Sequence, residues 1–374
     1  MNPLAPLHPL GYPAPFWFLE LFKVIGFILH TSLMNLWYAG MPLVVILALT
    51  RSKQGRFLSK RLARVMPFIL ALGINFGIIP LLFTQVVNYQ FFYAATIMIA
   101  WAWFSIIILL NFAYYGIYIQ ANTKRRPLAL WSGAISAVFL VIIGFIFANG
   151  FSLMVRPNFW LDIFRHTNVA GAPTGLALNT GDPTLLPRWL MMFGLAITTT
   201  AAYIAFDALI FAKDESEEYA RWARKFSFGL YTLGLVWFAG FGSWYIFGTL
   251  PAGEQQAVLS SAIAKVLFTL TALSPGLTWL LLILLRSRGG RTLAYLAAGA
   301  QLVVIALNAT SRQWLQNTEL RPYADLAAVP ARTQWGSLIL FVLGLSIAVW
   351  LSVWMIGRLR AGTPEEKLES VTPV

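Results

Sequence analysis

About nine stretches of this chain are apolar for twenty residues or so, the length a helix needs to cross the hydrocarbon core of a bilayer. They fall at 24–50, 66–86, 91–119, 129–150, 188–212, 227–249, 259–285, 292–309 and 335–357. Lipid offers no partner for a free backbone N–H or C=O, so a spanning segment must be a helix or part of a closed barrel. Short segments of alternating polarity, which mark a barrel, are absent. The expected fold is therefore an all-α polytopic transmembrane helical bundle of about nine spans.

Composition agrees with that reading. With 59% hydrophobic residues, 11% charged residues and a mean hydropathy of +0.71, the chain has more apolar surface than a soluble domain of its size could hide. The absence of cysteine excludes disulfides, iron–sulfur clusters, thiolate metal sites and covalent c-type haem within the chain.

The net charge of +13 is informative by position. Most of the 27 lysines and arginines lie in "RSKQGRFLSKRLAR", "TKRR", "KDESEEYARWARK", "RSRGGR" and the C-terminal tail, after spans one, three, five, seven and nine. The alternate connections hold only Arg156, Arg165, Arg188, Arg312, Arg321 and Arg332. This asymmetry places the N-terminus outside and the C-terminus in the cytoplasm. It makes anionic lipids, not nucleic acid, the expected neighbours of the basic segments.

The chain divides into an N-terminal part (1–23), one transmembrane domain (24–357) and a cytoplasmic tail (358–374). The opening "MNPLAPLHPLGYPAP" has neither the basic leader nor the cleavage site of a signal peptide and is expected to be retained. The segment after it is expected to lie in the interface, with Glu20 and Lys23 paired at i, i+3. Two outer connections are long, 151–187 and 310–334, and long loops are where partners and substrates bind.

Chemistry-bearing residues are few. The three histidines are His8, His30 and His166, and no metal-ligand spacing, phosphate loop or hydrolytic triad is present. His30 stands in the outer half of the first span, where an ionisable ring is costly without a partner. It reads either as a ligand to haem or a quinone oxygen, or as a neutral imidazole bonded to a neighbouring helix. Asp207 and Lys265 are candidates for proton transfer. The first also reads, and more readily, as a helix-joining group, and the second as a lysine snorkelling to the interface. Most of the 15 tryptophans sit at span ends as interfacial anchors.

The most pointed stretch is "LNATSRQWLQNTEL", Leu307–Leu320, where Arg312, Gln313 and Trp314 follow the eighth apolar run. A planar donor fork, an amide that donates and accepts, and a flat indole suit a quinone headgroup. The same residues also suit lipid phosphate binding or helix capping by Arg312 and belt packing by Trp314.

The order of these features resembles subunit I of the cytochrome bd quinol oxidases. "LHTSLMNLWYAGMPLVVILALT" is similar to that family's first helix, and "GINFGIIPLLFTQVVNYQFFYAATIMIAWAWFSIIILL" to its second and third. "FANGFSLMVRPNFW" is similar to the segment after its fourth helix, and "SRQWLQ" resembles its G-R-Q-P-W motif. The resemblance implies a bacterial inner-membrane, multi-pass subunit. It also implies haem and quinone as cofactors, with His30 as the first-helix haem ligand.

The departures limit what it carries over. The helix-five histidine of the oxidases falls at or beside Met191 in "PRWLMMFG", a thioether that could still ligate haem. Span seven contains no methionine, and Ala309 stands three residues before Arg312 where the family holds a glutamate. The connection "TLPAGEQQ" is much shorter than the family's quinol loop. Oxygen reduction needs the full haem set, so the expected function is a membrane subunit of a respiratory electron-transfer complex that is not an oxygen reductase. It would meet quinone or quinol at the outer face through Arg312, Gln313, Trp314 and His30, and exchange electrons with partner redox subunits. Haem b at His30 and Met191 is a further expectation. The alternative is a redox-inactive anchor that docks extracytoplasmic cytochrome c or iron–sulfur proteins. Transport is a weaker third, since paired broken helices are missing.

Overall fold

The computed structural model describes residues 10–212 and 215–361. His8 and the tail from residue 362 lie outside the described residues. The chain is an all-α bundle. Its helices are α1 (Phe16–Leu49), α2 (Lys53–Val87), α3 (Tyr89–Met98), α4 (Ala100–Asn122), α5 (Arg126–Val155) and α6 (Trp160–Thr167). There follow α7 (Leu185–Ile210), α8 (Glu217–Ser243), α9 (Ala252–Ser260), α10 (Ala262–Arg288), α11 (Arg291–Leu320) and α12 (Trp335–Ala361). Among the described residues, eight helices are long and apolar enough to span, and Trp335–Leu351 adds a shorter apolar run.

Helix starts follow local chemistry. Ser52, Ser216 and Ser261 each accept a hydrogen bond from the backbone N–H three residues on, satisfying a donor that the first turn leaves free. Between α10 and α11 the chain reverses through Gly289 and Gly290, at φ of +68° and +105°, a region that side chains with a Cβ rarely enter.

The core forms around α1, which packs on α2, α5, α7 and α11. α4 and α12 lie at the edge, exposing Phe104, Ile107 and Phe112 on one and Leu340, Ile347 and Trp350 on the other. Apolar faces of this size are covered by lipid or by another protein.

Four expectations are corrected. The third apolar segment is broken at Ile99, where Ala177 N donates to Met98 O and Gly175 O accepts from Trp101 N, so loop backbone replaces the helical bonds. The eighth helix runs to Leu320, which makes residues 310–320 helical instead of loop. The short connection after α8 holds a helix of its own, α9. The first helix begins at Phe16, so Lys23 lies inside the bundle, buried, and bonds to Asn88 and Gln316 rather than to Glu20.

Polar contacts gather at the two ends of the bundle. At the end carrying the basic connections, Arg61 forms a two-pronged ion pair with Asp207 at 2.5 and 3.0 Å, and Gln54 donates to Glu218. At the opposite end Arg156 joins Glu254 at 2.7 Å and Glu319 at 2.9 Å. The backbone around Tyr12 and Pro13 also pairs there with residues 330–334.

Candidate functional site

α11 carries Asn308, Arg312, Gln316 and Glu319 at helical spacing, so all four share one face. That face borders a cavity of about 730 Å³ closed by α1, α2, α5, α7, α8 and α10. Its walls are mainly aliphatic and aromatic side chains interrupted by polar groups such as His30, Arg188 and Arg312, the usual make-up of a small-molecule site. The last turns of α8 widen into a π-helical segment, Trp244–Thr249, which carries Tyr245 into the same wall.

His30 reaches this cavity from α1. Its Nδ1 lies 2.8 Å from the Gly73 carbonyl oxygen. A carbonyl only accepts, so Nδ1 carries the proton and Nε2 keeps its lone pair. Nε2 has no protein partner among the described residues. The approach depends on Gly77, where a Cβ would stand 2.8 Å from Nδ1. The edge of the His30 ring packs on Trp37, with centroids 5.9 Å apart.

Arg312 lies between two phenyl rings, its guanidinium carbon 4.3 Å from the centroid of Phe27 and 5.0 Å from that of Phe151. No hydrogen bond or ion pair to it exists among the described residues. Gln313 is buried and donates to Asn317 Oδ1 at 2.9 Å and Glu20 Oε1 at 3.2 Å, leaving its own carbonyl oxygen unclaimed. Lys23 is 2% exposed and spends two of its three N–H bonds on Asn88 Oδ1 at 2.7 Å and Gln316 Oε1 at 3.0 Å.

Of the residues singled out from sequence, His30, Met191, Lys265, Arg312 and Gln313 all line this one cavity. Trp314 does not; it packs edge-on against Phe268 beside Tyr245, Leu250 and Val258. Asp207 sits at the opposite end with Arg61, so it is not brought together with Lys265. His166 is exposed on α6, beside Asp162.

Several residues of the site escape a linear reading. Arg188, in the first turn of α7, lines the cavity, and its Nη2 is buried without a hydrogen-bond partner. Asp182 holds the start of that helix by accepting from Thr184 N at 2.9 Å and from the Ser152 hydroxyl. Glu319, two turns beyond Arg312, is buried on the cavity rim in contact with Arg156. Arg156 lies just past α5; burial alone works against its charge, and Glu319 and Glu254 outweigh that and hold it protonated. The signal for Glu319 and Gln316 was available in the spacing from Arg312, once the helix is carried past residue 309.

No group of three or more His, Cys, Asp or Glu side chains able to hold a metal occurs among the described residues. A haem needs fewer protein ligands, and the cavity supplies one imidazole with a free lone pair, fixed through its other nitrogen in the manner of metal-bound histidines. Met191 faces the same space from α7. An imidazole and a thioether are donor types that suit a b-type haem. Ala309 offers no carboxylate at the position the resemblance assigns to one.

No protein-family model matches the chain, and no curated protein matches it in sequence. Among solved structures it is similar to a chain of the bd oxidase from Geobacillus thermodenitrificans, at 13% identity and a TM-score of 0.59, over 94% of this chain and 100% of that one. The fold is thus a bd-oxidase-like membrane bundle.

Proposed function

We propose that this chain is an integral membrane subunit of a respiratory electron-transfer complex in the bacterial inner membrane. In this reading it binds quinone or quinol in the cavity between α1 and α11 and exchanges electrons with partner redox subunits such as cytochrome c or iron–sulfur proteins at the outer face. The observation that carries the reading is the meeting of His30, Arg312 and Gln313 on one largely apolar, membrane-embedded cavity, each with an unused donor or acceptor.

The chemistry is complementary. Arg312 has free N–H groups for a quinone oxygen, whereas Gln313 Oε1 and His30 Nε2 are acceptors suited to a quinol hydroxyl. His30 can take the proton from that hydroxyl as an electron leaves for a partner's one-electron centre. The remaining apolar wall fits the quinone ring and the start of its prenyl chain.

A single b-type haem at His30 is a second reading, favoured by the Nδ1–H anchor to Gly73. Haem supplies a one-electron carrier when bound, and this chain's part is to ligate it through Nε2 and orient the ring from α2. Either reading leaves the subunit without the ligand set that oxygen reduction requires.

The test is to purify the complex and measure extractable quinone, quinol oxidation and the reduced-minus-oxidised spectrum. Bound quinone that is lost in Arg312→Ala and His30→Ala supports the site. Quinol oxidation unchanged in both variants, with no quinone bound, removes it and leaves the anchoring role.

A further inference from the structure

Arg188 and Arg312 present a charge problem that a neutral quinone does not solve. Arg312 stacks on Phe27 and Phe151 and has no acceptor among the described residues. Arg188 Nη2 is buried with no partner. The two lie within electrostatic reach of each other; Arg188 is hydrogen-bonded to the Tyr245 side chain and attracted by Glu319, a carboxylate it shares with Arg156, which leaves its Nη2 and the whole Arg312 guanidinium without an acceptor among the described residues. Both arginines are half-buried and border the cavity, and a guanidinium withdrawn from bulk water is normally paired, because desolvating an unpaired charge is costly.

The carboxylates in the neighbourhood are engaged elsewhere. Glu319 and Glu254 both accept from Arg156, Glu20 accepts from Gln313 and Asn317, and Asp182 accepts from Ser152 and Thr184. None is hydrogen-bonded to Arg188 or Arg312 among the described residues. Glu319 and Glu254 are thus shared among Arg156, Arg188 and Arg312, an excess of positive charge that an anion from outside the chain would balance, and the many apolar side chains of the cavity, such as Phe147, Leu140 and Ile246, suit an anion attached to an apolar body.

We propose that Arg188 and Arg312 form a seat for the acidic group, a carboxylate or phosphate, of an amphipathic ligand whose apolar body lies in the cavity. A forked guanidinium suits either anion, with two parallel N–H···O bonds available from Arg312 and the Nη2 donor available from Arg188. The seat shares its cavity with the quinone reading above and stands without it, because Arg188 has no place in the quinone contacts.

The acidic group has two sources, an anionic phospholipid or a carboxylated tetrapyrrole such as haem b. The full-length chain is purified in mild detergent, and its bound molecules are identified by native mass spectrometry, lipid extraction and a pyridine-haemochromogen assay. Quinone is assayed in the same extracts. The expected result is about one acidic amphiphile per chain, with occupancy falling about tenfold in Arg188→Gln and in Arg312→Gln and lost in the double variant. Arg165→Gln, an exposed position on α6, keeps full occupancy. Lipid phosphorus or haemochromogen absorbance tells which source fills the seat.

Circular dichroism and size-exclusion profiles confirm that each variant is folded. If a variant does not fold, Arg188→Lys replaces it, keeping the charge while losing the fork, with an intermediate occupancy expected. Folded wild type carrying no acidic amphiphile, or occupancy unchanged in the double variant, overturns the proposal. Quinone bound without an acidic amphiphile overturns only this seat, and an acidic amphiphile without quinone overturns only the quinone reading.

Discussion

His30 Nδ1 lies 2.8 Å from the carbonyl oxygen of Gly73, and this one bond fixes both the tautomer and the tilt of the ring at the cavity wall. It exists because Gly77, one turn further along α2, leaves room for the imidazole. Gly77→Ala puts a methyl group 2.8 Å from Nδ1, so the ring must move and the bond lengthens. The expected outcome is an intact bundle with ligand affinity about tenfold weaker, a loss of about 1.4 kcal/mol. Titration of a quinone analogue with the variant checks it, and unchanged affinity would separate His30 from the site.

Arg156 holds two buried or half-buried carboxylates, Glu254 and Glu319, and so ties the end of α5 to α9 and to the last turn of α11. Arg156→Ala leaves Glu254 without its ion-pair partner and Glu319 with only the attraction of Arg188, and should destabilise the chain by about 3 kcal/mol, within the range for breaking a buried pair. Glu319→Gln keeps an acceptor for Arg156 and should cost less. Thermal unfolding in detergent ranks the two variants, and the reverse order would show that Arg156 is not the keystone of this end.

Lys23 bridges α1 to Asn88 and Gln316 with bonds of 2.7 and 3.0 Å. Lys23→Met preserves much of the apolar stem and removes both bonds, leaving buried acceptors unmet at about 1–3 kcal/mol. Stability should fall by that amount, as read from the unfolding midpoint. A variant as stable as wild type would mean that the ammonium contributes nothing net to the fold.

The fold was largely legible, since the apolar runs located the spans, and the basic connections located one end of the bundle. Three features were not, each for a physical reason. The break at Ile99 has no glycine or proline to announce it, because its cause is a backbone pairing with residues 175–177 of a distant loop. The extension of α11 to Leu320 is masked by polar residues that face a cavity instead of water. Arg188 looked like one more outer arginine, and only the packing of α7 against α11 shows it facing Arg312's cavity. His30, Arg312 and Gln313 were visible as residue types out of place in an apolar setting, whereas their convergence required the fold.

Asp207 provides a control at the far end of the bundle. Its two-pronged pair with Arg61 involves an arginine side chain 23% exposed, so Asp207→Asn should cost about 1–2 kcal/mol, below the fully buried range. A double-mutant cycle with Arg61→Ala should recover most of that as coupling. Ligand binding should be unaffected, because neither residue borders the cavity.

The most direct measurement is equilibrium binding of a short-chain quinone analogue to the purified complex, wild type against His30→Ala, Arg312→Ala, Gln313→Ala and the Asp207→Asn control. A site built from His30, Arg312 and Gln313 predicts saturable binding by wild type and the control, weakened at least tenfold in each of the three cavity variants. Binding of equal strength in all five proteins, or in none, would contradict it.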